Sequence, residues 1–205
     1  MKHIDWYFDV ISPFAYLQST QLHRLTPYAN ITFKPVVFAG LLQHFGNIGP
    51  AEIVPKRQWT FEHVAWTSHQ LGVPMKAPAA HPFNPVALLR TIIAAGCTAA
   101  AVKTVFDYVW VQQGDLIDLS ELHRALNLAL PDITQPEVKA QLIANGQAAI
   151  AANVFGVPTA VVDSHTFWGV DSTDMLLAYL QGDPWFSSPA YTAVKDFPQG
   201  VQRER

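Results

Sequence analysis

Cysteine is nearly absent from this chain. Cys97 is the single cysteine among 205 residues, which excludes an intrachain disulfide and any Cys-x-x-Cys redox or zinc motif. It falls in IIAAGCTAAAV, an apolar stretch of small residues that predicts a helix, where a free cysteine commonly packs as a small hydrophobe. The eight histidines show no His-x-x-x-His or similar ligand spacing. We therefore expect neither a catalytic cysteine nor a metal site.

Charge is also scarce. Only 14% of the residues are charged, and 13 Lys and Arg against 16 Asp and Glu give a net charge of -3. No run of basic residues could follow a phosphate backbone, so nucleic acid is not an expected partner.

Long apolar runs are missing as well. No segment approaches the roughly 20 apolar residues that span a bilayer. The N-terminal stretch carries Asp5 and Asp9 and lacks the apolar core of a secretory signal. We expect a cytoplasmic protein without membrane contact. Half of the residues are hydrophobic, enough for a substantial core in one compact unit.

The N-terminal region predicts a β-α-β unit. Residues 3–11 are rich in aromatic and β-branched types and predict a strand. Ser12 is expected to cap the following helix, with Pro13 as its first residue and an end near Pro27. Residues 31–38 predict a second strand, and the proline within it favours an edge position.

A helical region follows, from about residue 40 to residue 152. Apolar residues recur there at helical spacing over 58–71, 85–95, 98–112, 119–129 and 135–152. Two stretches rich in Gly and Pro, 46–57 and 73–85, predict loops. Trp59, Trp66 and Trp110 are expected in the core or at an interface.

The C-terminal region predicts two short strands and a helix. The strands are expected at 158–163 and 165–169 with a tight turn at Asp163-Ser164, and the helix at 172–180. The Pro- and Ser-rich tail from Gly182 is expected to be an ordered or frayed extension. The whole order predicts an α/β thioredoxin-like fold with a large all-helical insertion. Its domains would be residues 1–39 with 153–205, which are thioredoxin-like, and the helical insertion 40–152.

Three motifs carry a family resemblance. FDVISPFAYL (8–17), FGVPT (155–159) and FWGVDSTDM (167–175) together resemble the DsbA-like branch of thioredoxin folds. Within that branch, the chain resembles the 2-hydroxychromene-2-carboxylate isomerase family, a sister of the kappa-class glutathione transferases. Ser-Pro-Phe-Ala stands where disulfide oxidoreductases of this branch carry Cys-x-x-Cys. The segments GNIGPAEIVPKR and HPFNP extend the resemblance over nearly the whole chain.

The resemblance implies glutathione as cofactor, with its thiolate at Ser12. A helix N-terminus lowers the pKa of a thiol, and a hydroxyl there can donate a hydrogen bond to the sulfur. On local sequence alone, Ser12 could be only a helix cap. The resemblance also implies a cis peptide bond at Val157–Pro158, beside which the extended peptide of glutathione would lie. Without the resemblance, an ordinary turn before a strand is the commoner interpretation of these residues.

The third motif would hold the γ-glutamyl end of glutathione. Asp171 would bind its ammonium group, although an Asp before a helix more often serves as a cap. Val170 and Ser172 would contact its carboxylate. Two departures from the isomerase pattern bear on substrate identity: Leu42 lies near a position that can carry lysine, and Ser172 stands where an arginine often follows the Asp.

The remaining candidates lie in the helical region and beside Ser12. Asn47, Lys56 and Arg57 could hold the glycyl carboxylate or an acidic substrate. For Lys56 and Arg57, two solvated charges on a loop are an equally good interpretation. Substrate contacts are also expected from Phe14, Phe83 and Asn84, whereas His81 is expected to be structural.

The resemblance implies a glutathione-dependent cis-trans isomerase of an aromatic-derived acid, acting as a homodimer. Its mechanism would be addition of the thiolate to a conjugated double bond, rotation and elimination. A kappa-like glutathione transferase and a non-catalytic peptide-binding protein are the alternatives.

Overall fold

The computed structural model describes residues 1–195 together with Pro198 and Gly200, so the rest of the predicted tail lies outside the described residues. Four strands form one mixed sheet in the order β2-β1-β3-β4. They are β1 (Lys2–Phe8), β2 (Ala29–Pro35), β3 (Thr159–Val162) and β4 (His165–Trp168). β1 and β2 are parallel, and the other two neighbouring pairs are antiparallel. The four predicted strands and the edge position of β2 are confirmed, although β2 ends at Pro35 and not at Phe38, which begins a helix.

Nine helices accompany this sheet in the described part of the chain. They are α1 (Pro13–Ser19), α2 (Phe38–His44), α3 (Val54–Leu71), α4 (Val86–Ala94), α5 (Ala99–Trp110), α6 (Ser120–Ala125), α7 (Pro136–Ala151), α8 (Thr173–Leu180) and α9 (Pro189–Lys195). α2 to α7 fall between β2 and β3, as the α/β order predicts. The division into two domains stays a prediction. None of the helices described is long and apolar enough to cross a membrane.

Two elements near Ser12 are shorter than the sequence predicts. β1 ends at Phe8 because the next residues turn, with Ser12 N donating to Asp9 O at 3.0 Å. α1 ends at Ser19 instead of near Pro27. The Ser19 and Thr20 hydroxyls donate to main-chain carbonyls at 2.6 and 2.8 Å and so compete with the helical hydrogen bonds.

The helical region corrects three expectations. α2 was not predicted. The predicted loop 46–57 is irregular only in part, because Pro50–Glu52 forms a 3₁₀ turn and α3 begins at Val54 with a proline in its first turn. The helix predicted through Cys97 is wrong: Gly96 (φ 79°) and Cys97 (φ 50°) are both left-handed, in the connection between α4 and α5. The irregular stretch 73–85 is confirmed.

The core lies on both faces of the sheet because side chains alternate along β1. Trp6 stacks on Phe8 at 4.4 Å and packs with the largest buried cluster, whereas Tyr7 packs with a smaller cluster on the opposite face. Trp110 is fully buried, as expected for a core residue. Trp59 and Trp66 are 64% and 60% exposed, so a core position is wrong for both.

Candidate ligand-binding site

Ser12 lies at the start of α1, where β1 delivers the chain. Its extended backbone (φ -86°, ψ 115°) makes it the N-cap, and its Oγ accepts a hydrogen bond from Ala15 N at 3.2 Å. The predicted cap with Pro13 in the first turn is confirmed. The hydroxyl proton remains, and its acceptor is Val157 O, 3.5 Å from Oγ. Because that distance is long for a hydroxyl, the proton is available to a better acceptor.

The loop that faces Ser12 contains a cis peptide bond between Val157 and Pro158, as the resemblance implies. Trp168 covers this loop from β4 and contacts Phe155, with the ring centroids 5.1 Å apart. The Thr159 hydroxyl donates to Gly156 O at 2.6 Å, which fixes the loop from the strand side. The loop therefore presents Val157 to Ser12 from a rigid support.

An open cleft of about 430 Å³ lies beside this loop, and its lining includes Val157 but not the buried Ser12. Four predicted site residues line it: Phe14, Val157, Val170 and Asp171. α3 forms the opposite wall with His63, Trp66, Thr67 and Leu71, none of which was predicted to be in a site. Their signal in the sequence is the aromatic stripe with i, i+4, i+7 spacing, Trp59, His63 and Trp66, whose rings stack in succession.

Asp171 projects at the far end of the cleft. It lies within the 3₁₀ turn Val170–Ser172, so the N-cap position of α8 falls to Ser172. The capping role considered for Asp171 is therefore wrong. Its carboxylate is exposed and forms no hydrogen bond or ion pair with the residues that the structure describes. Gly169 makes this arrangement possible, because a Cβ there would collide with Asp171 Oδ1.

Gln18 holds that turn against α1. This fully buried amide donates to Gly169 O at 2.9 Å and to Thr173 Oγ1 at 3.2 Å, and it accepts from Trp6 Nε1 at 2.7 Å. The residue was not predicted to matter, although an amide on the apolar face of a predicted helix was a signal. Ser172 uses its hydroxyl within the turn, where it donates to Gly169 O at 2.8 Å.

The guanidinium of Arg24 belongs to the same cleft as Asp171. Arg24, just after α1, pairs with Asp174 at 2.6 Å, and both residues line the cleft. The Asp174 side chain is 82% exposed, so the pair contributes little and leaves the guanidinium open to competition from a ligand carboxylate. This end of the cleft thus offers two carboxylates and one guanidinium, which match an ammonium group beside a carboxylate.

The five predicted residues of the helical region lie outside the cleft lining, as do Ser12, Pro158 and Ser172. Asn47 is exposed in the loop after α2, and Lys56 is exposed on the first turn of α3. Asn84 precedes Pro85, the N-cap residue of α4, and its Oδ1 accepts from Val86 N at 3.1 Å. Arg57 donates to His81 O at 2.9 Å, and the His81 ring lies 6.1 Å from the ring of Phe83. The structure therefore brings Arg57, His81 and Phe83 together. A ligand contact by any of the five predicted residues stays a prediction.

Asp9 is a fully buried carboxylate directly before this site. Its oxygens accept hydrogen bonds from Ile11 N at 3.0 Å and Phe38 N at 2.8 Å, which ties the start of α1 to the start of α2. Burial raises the pKa of Asp9 to about 7, against the opposing effect of the backbone donors. Within the described residues, no group of three or more His, Cys, Asp and Glu could hold a metal ion.

A helix start capped by serine, opposite a cis-proline loop and beside a cleft, defines a thioredoxin-fold protein that has no cysteine pair at its site. The chain belongs to the family of the DSBA-like thioredoxin domain, whose profile matches residues 3–181. The resemblance found in the sequence is thereby confirmed, as is the DsbA-like thioredoxin fold.

Three known proteins are similar to this chain in sequence or structure. A 2-hydroxychromene-2-carboxylate isomerase of Sphingobium xenophagum is 28% identical over 87% of this chain and 98% of its own length. Glutathione S-transferase kappa 1 of Rattus norvegicus is 27% identical over 89% of this chain and 92% of its own. A solved structure of 2-hydroxychromene-2-carboxylate isomerase superposes with a TM-score of 0.78 at 22% identity, covering 96% of this chain and 100% of that one.

Proposed function

We propose that this protein is a glutathione-dependent enzyme whose bound thiolate is stabilised by Ser12. The observation that carries the proposal is the position of the Ser12 hydroxyl, 3.5 Å from the carbonyl of Val157, a residue of the cis-proline loop that lines the same cleft as Asp171. A γ-glutamyl peptide laid along this cleft meets a hydroxyl donor, an extended backbone and an unpaired carboxylate in that order.

The glutathione backbone would pair with the loop at Val157 and Pro158. The γ-glutamyl ammonium would bind Asp171, and its carboxylate would bind Arg24 together with the main chain of Val170 and Ser172. The free carboxylate of Asp171 supports this orientation, because a charge-assisted hydrogen bond is stronger than a neutral one. Asn47 is proposed for the glycyl carboxylate.

The thiolate is the reactive species because a neutral thiol is a poor nucleophile, and its ordinary pKa of about 8.5 must fall for activity near neutral pH. Ser12 already accepts the Ala15 N–H through Oγ, so its own proton points away from the helix. A hydrogen bond from that proton to sulfur favours the charged form and lowers the thiol pKa.

The proposed reaction is cis-trans isomerisation of an aromatic-derived acid. The thiolate sulfur adds to one carbon of a conjugated double bond, and the π electrons move onto the conjugated acceptor. The remaining carbon–carbon single bond rotates, the electrons return, and the carbon–sulfur bond breaks. Glutathione is regenerated, and no oxidant or reductant is consumed.

Phe14, His63 and Trp66 support an aromatic substrate, because they supply rings to the cleft beside Ser12. The Phe14 and His63 rings are 5.7 Å apart, so a planar ligand can stack against this wall. Lys56 and Arg57 are proposed for the acidic group of the substrate, with Phe83 and Asn84 beside them.

A glutathione transferase of the kappa type is the second candidate. The 27% identity to glutathione S-transferase kappa 1 favours it, and the same thiolate would attack an electrophile and stay bonded to it. Counting glutathione during turnover separates the possibilities. An isomerase leaves its concentration unchanged, a transferase consumes one molecule per product, and a peptide-binding protein turns over neither substrate.

Cellular setting and assembly belong to the same proposal. The single, half-buried cysteine suits a reducing compartment, which supports the cytoplasm. The exposed indole of Trp59, outside the cleft lining, supports an interface between two copies in a homodimer. Light scattering on the purified protein tests the second point, and a monomer at all concentrations would exclude the dimer.

A further inference from the structure

The turn that delivers Ser12 is held from the helical region by two aromatic side chains. Trp110 Nε1 donates to Val10 O at 2.9 Å, and His81 Nε2 lies 2.9 Å from Ile11 O. Asp9 holds the same turn from the sheet side through Ile11 N. Two successive carbonyls before Ser12 are therefore fixed by ring nitrogens from distant parts of the chain.

The hydrogen bond defines the protonation state of His81. A carbonyl oxygen only accepts, so Nε2 must carry the proton. Burial lowers the pKa of His81, which keeps the ring neutral and leaves Nδ1 without a proton. Nδ1 is buried and has no hydrogen-bond partner among the described residues.

This arrangement exceeds what packing needs. The ring is surrounded by Phe61 at 5.2 Å, Phe83 at 6.1 Å and Trp110 at 6.0 Å, an environment that an apolar ring would fill equally well. Arg57 fixes the main chain of the same residue through its carbonyl. A histidine here leaves one buried nitrogen unsatisfied, and in return it supplies one donor to the residue before Ser12.

We propose that His81 is a positioning residue, which holds the Ile11 carbonyl through Nε2–H and thereby keeps the Ser12 hydroxyl directed at the thiolate of bound glutathione. The inference rests on the proposed function. Without the donor, the Ile11–Ser12 peptide is released on one side and the hydroxyl loses its fixed direction. Residues that would hold the γ-glutamyl end lie elsewhere in the cleft and keep their positions.

Three substitutions separate this role from packing. His81→Phe keeps the ring and removes the donor. His81→Gln places an amide nitrogen near the position of Nε2, whereas the shorter side chain of His81→Asn does not reach Ile11 O. In the Phe and Asn variants, we expect the thiolate fraction of bound glutathione near neutral pH to fall about three- to tenfold, from the net value of one hydrogen bond. The Gln variant should retain most of it.

The readouts are ultraviolet titration of the bound thiolate and calorimetry at a pH where glutathione binds as the thiol. Affinity for the thiol should change less than about twofold in all three variants, as expected for a residue outside the ligand contacts. If the wild-type protein does not bind glutathione, or binds it without lowering its thiol pKa, the proposed function itself is overturned. A lowered thiol pKa in the wild type that is retained in both the Phe and Asn variants would overturn the role of His81 alone.

A measurement without ligand tests the same inference. Nitrogen-15 spectra of the wild-type protein at pH 7 should show His81 as the neutral tautomer with its proton on Nε2. A proton on Nδ1, or a charged ring, would overturn the inference. If the Phe variant does not fold, the comparison of Gln with Asn decides, since both carry the same amide and differ in reach.

Discussion

The side-chain amide of Gln18 donates a hydrogen bond to the carbonyl of Gly169 at 2.9 Å. This contact joins the helix that begins at Ser12 to the turn that carries Asp171. The distance between the two ends of the proposed glutathione site is therefore set by a buried amide, which occupies neither end.

Gln18→Leu should lower the free energy of unfolding by about 1–3 kcal/mol, because Trp6 Nε1 loses its acceptor in the interior and Gly169 O keeps only the donors of Ser172. Glutathione affinity should fall as the turn loosens. Urea unfolding and calorimetry measure the two effects. Gln58→Leu is the matched control, since that amide is exposed, lies outside the cleft lining and donates to Glu62 Oε1 at 2.9 Å. Equal stabilities of the two variants would contradict the role of Gln18.

Ser12→Ala should raise the thiol pKa of bound glutathione by about one to two units, because a hydrogen bond to a charged group contributes roughly 1.5–3 kcal/mol. It should also cost about 1 kcal/mol of stability through the lost cap. Thr98→Ala is the control, because Thr98 caps α5 in the same way, accepting from Ala101 N at 3.1 Å. The Thr98→Ala variant should lose a similar amount of unfolding free energy and leave the thiol pKa of bound glutathione unchanged. A thiol pKa that stays constant in both variants would reduce Ser12 to a helix cap.

Asp171→Asn should weaken glutathione binding about ten- to a hundredfold, the loss expected for one charge-assisted hydrogen bond. Stability should be unchanged, since the carboxylate has no partner among the described residues. Asp183→Asn is the control and should alter affinity less than about threefold, because Asp183 lies outside the cleft lining and its Oδ1 accepts from Trp185 N at 2.9 Å, as an amide oxygen also can. Calorimetry with deaminated glutathione completes a double-mutant cycle, and a coupling of zero between the ammonium group and Asp171 would contradict the assignment.

Asp9 should make stability depend on pH in an unusual direction. Its pKa is raised to about 7 in the folded state from an ordinary value of 3.8, so the folded chain holds the proton more tightly than the unfolded chain. The stabilisation is complete below the unfolded pKa and is lost as pH rises from about 4 to about 7, by at most about 1.4 kcal/mol per unit.

Asp9→Asn removes this titration and keeps an oxygen acceptor. The difference in unfolding free energy between the wild-type and variant proteins should therefore shrink or reverse between pH 5 and pH 7, then level off. Urea unfolding at several pH values gives the difference directly. A difference that stays constant across this range would mean that Asp9 is ionised throughout.

The parts of the site that the sequence predicts are those built from neighbouring residues. The cap at Ser12 and Pro13 follows from the order of two residue types, and the hairpin at Asp163-Ser164 follows from two turn-forming residues between short strands. Both turn residues have positive φ, 47° and 66°. Such features depend on local backbone preferences, which tertiary contacts then reinforce.

The parts that sequence patterns miss depend on how distant elements meet. His63 and Trp66 line the cleft only because α3 turns one face towards α1, and the same helical spacing would equally suit a core helix. Arg24 falls beyond the end of α1, where its direction depends on the 3₁₀ turn of residues 22–24. Pro50 and Pro55 favour a loop by composition. Yet Pro50 begins a short 3₁₀ helix, and Pro55 lies in the first turn of the long helix α3.

Gly156 lies so close to Trp168 that a Cβ at position 156 would be 2.6 Å from the indole nitrogen. The two positions therefore cannot drift independently as sequences diverge. A larger residue at 156 requires the indole to shift or to be replaced by something smaller, and a change at 156 made first would displace the Trp168 ring from the cis-proline loop. Among descendants of this chain, glycine at 156 should persist for as long as tryptophan remains at 168, and the order of their replacement should be fixed.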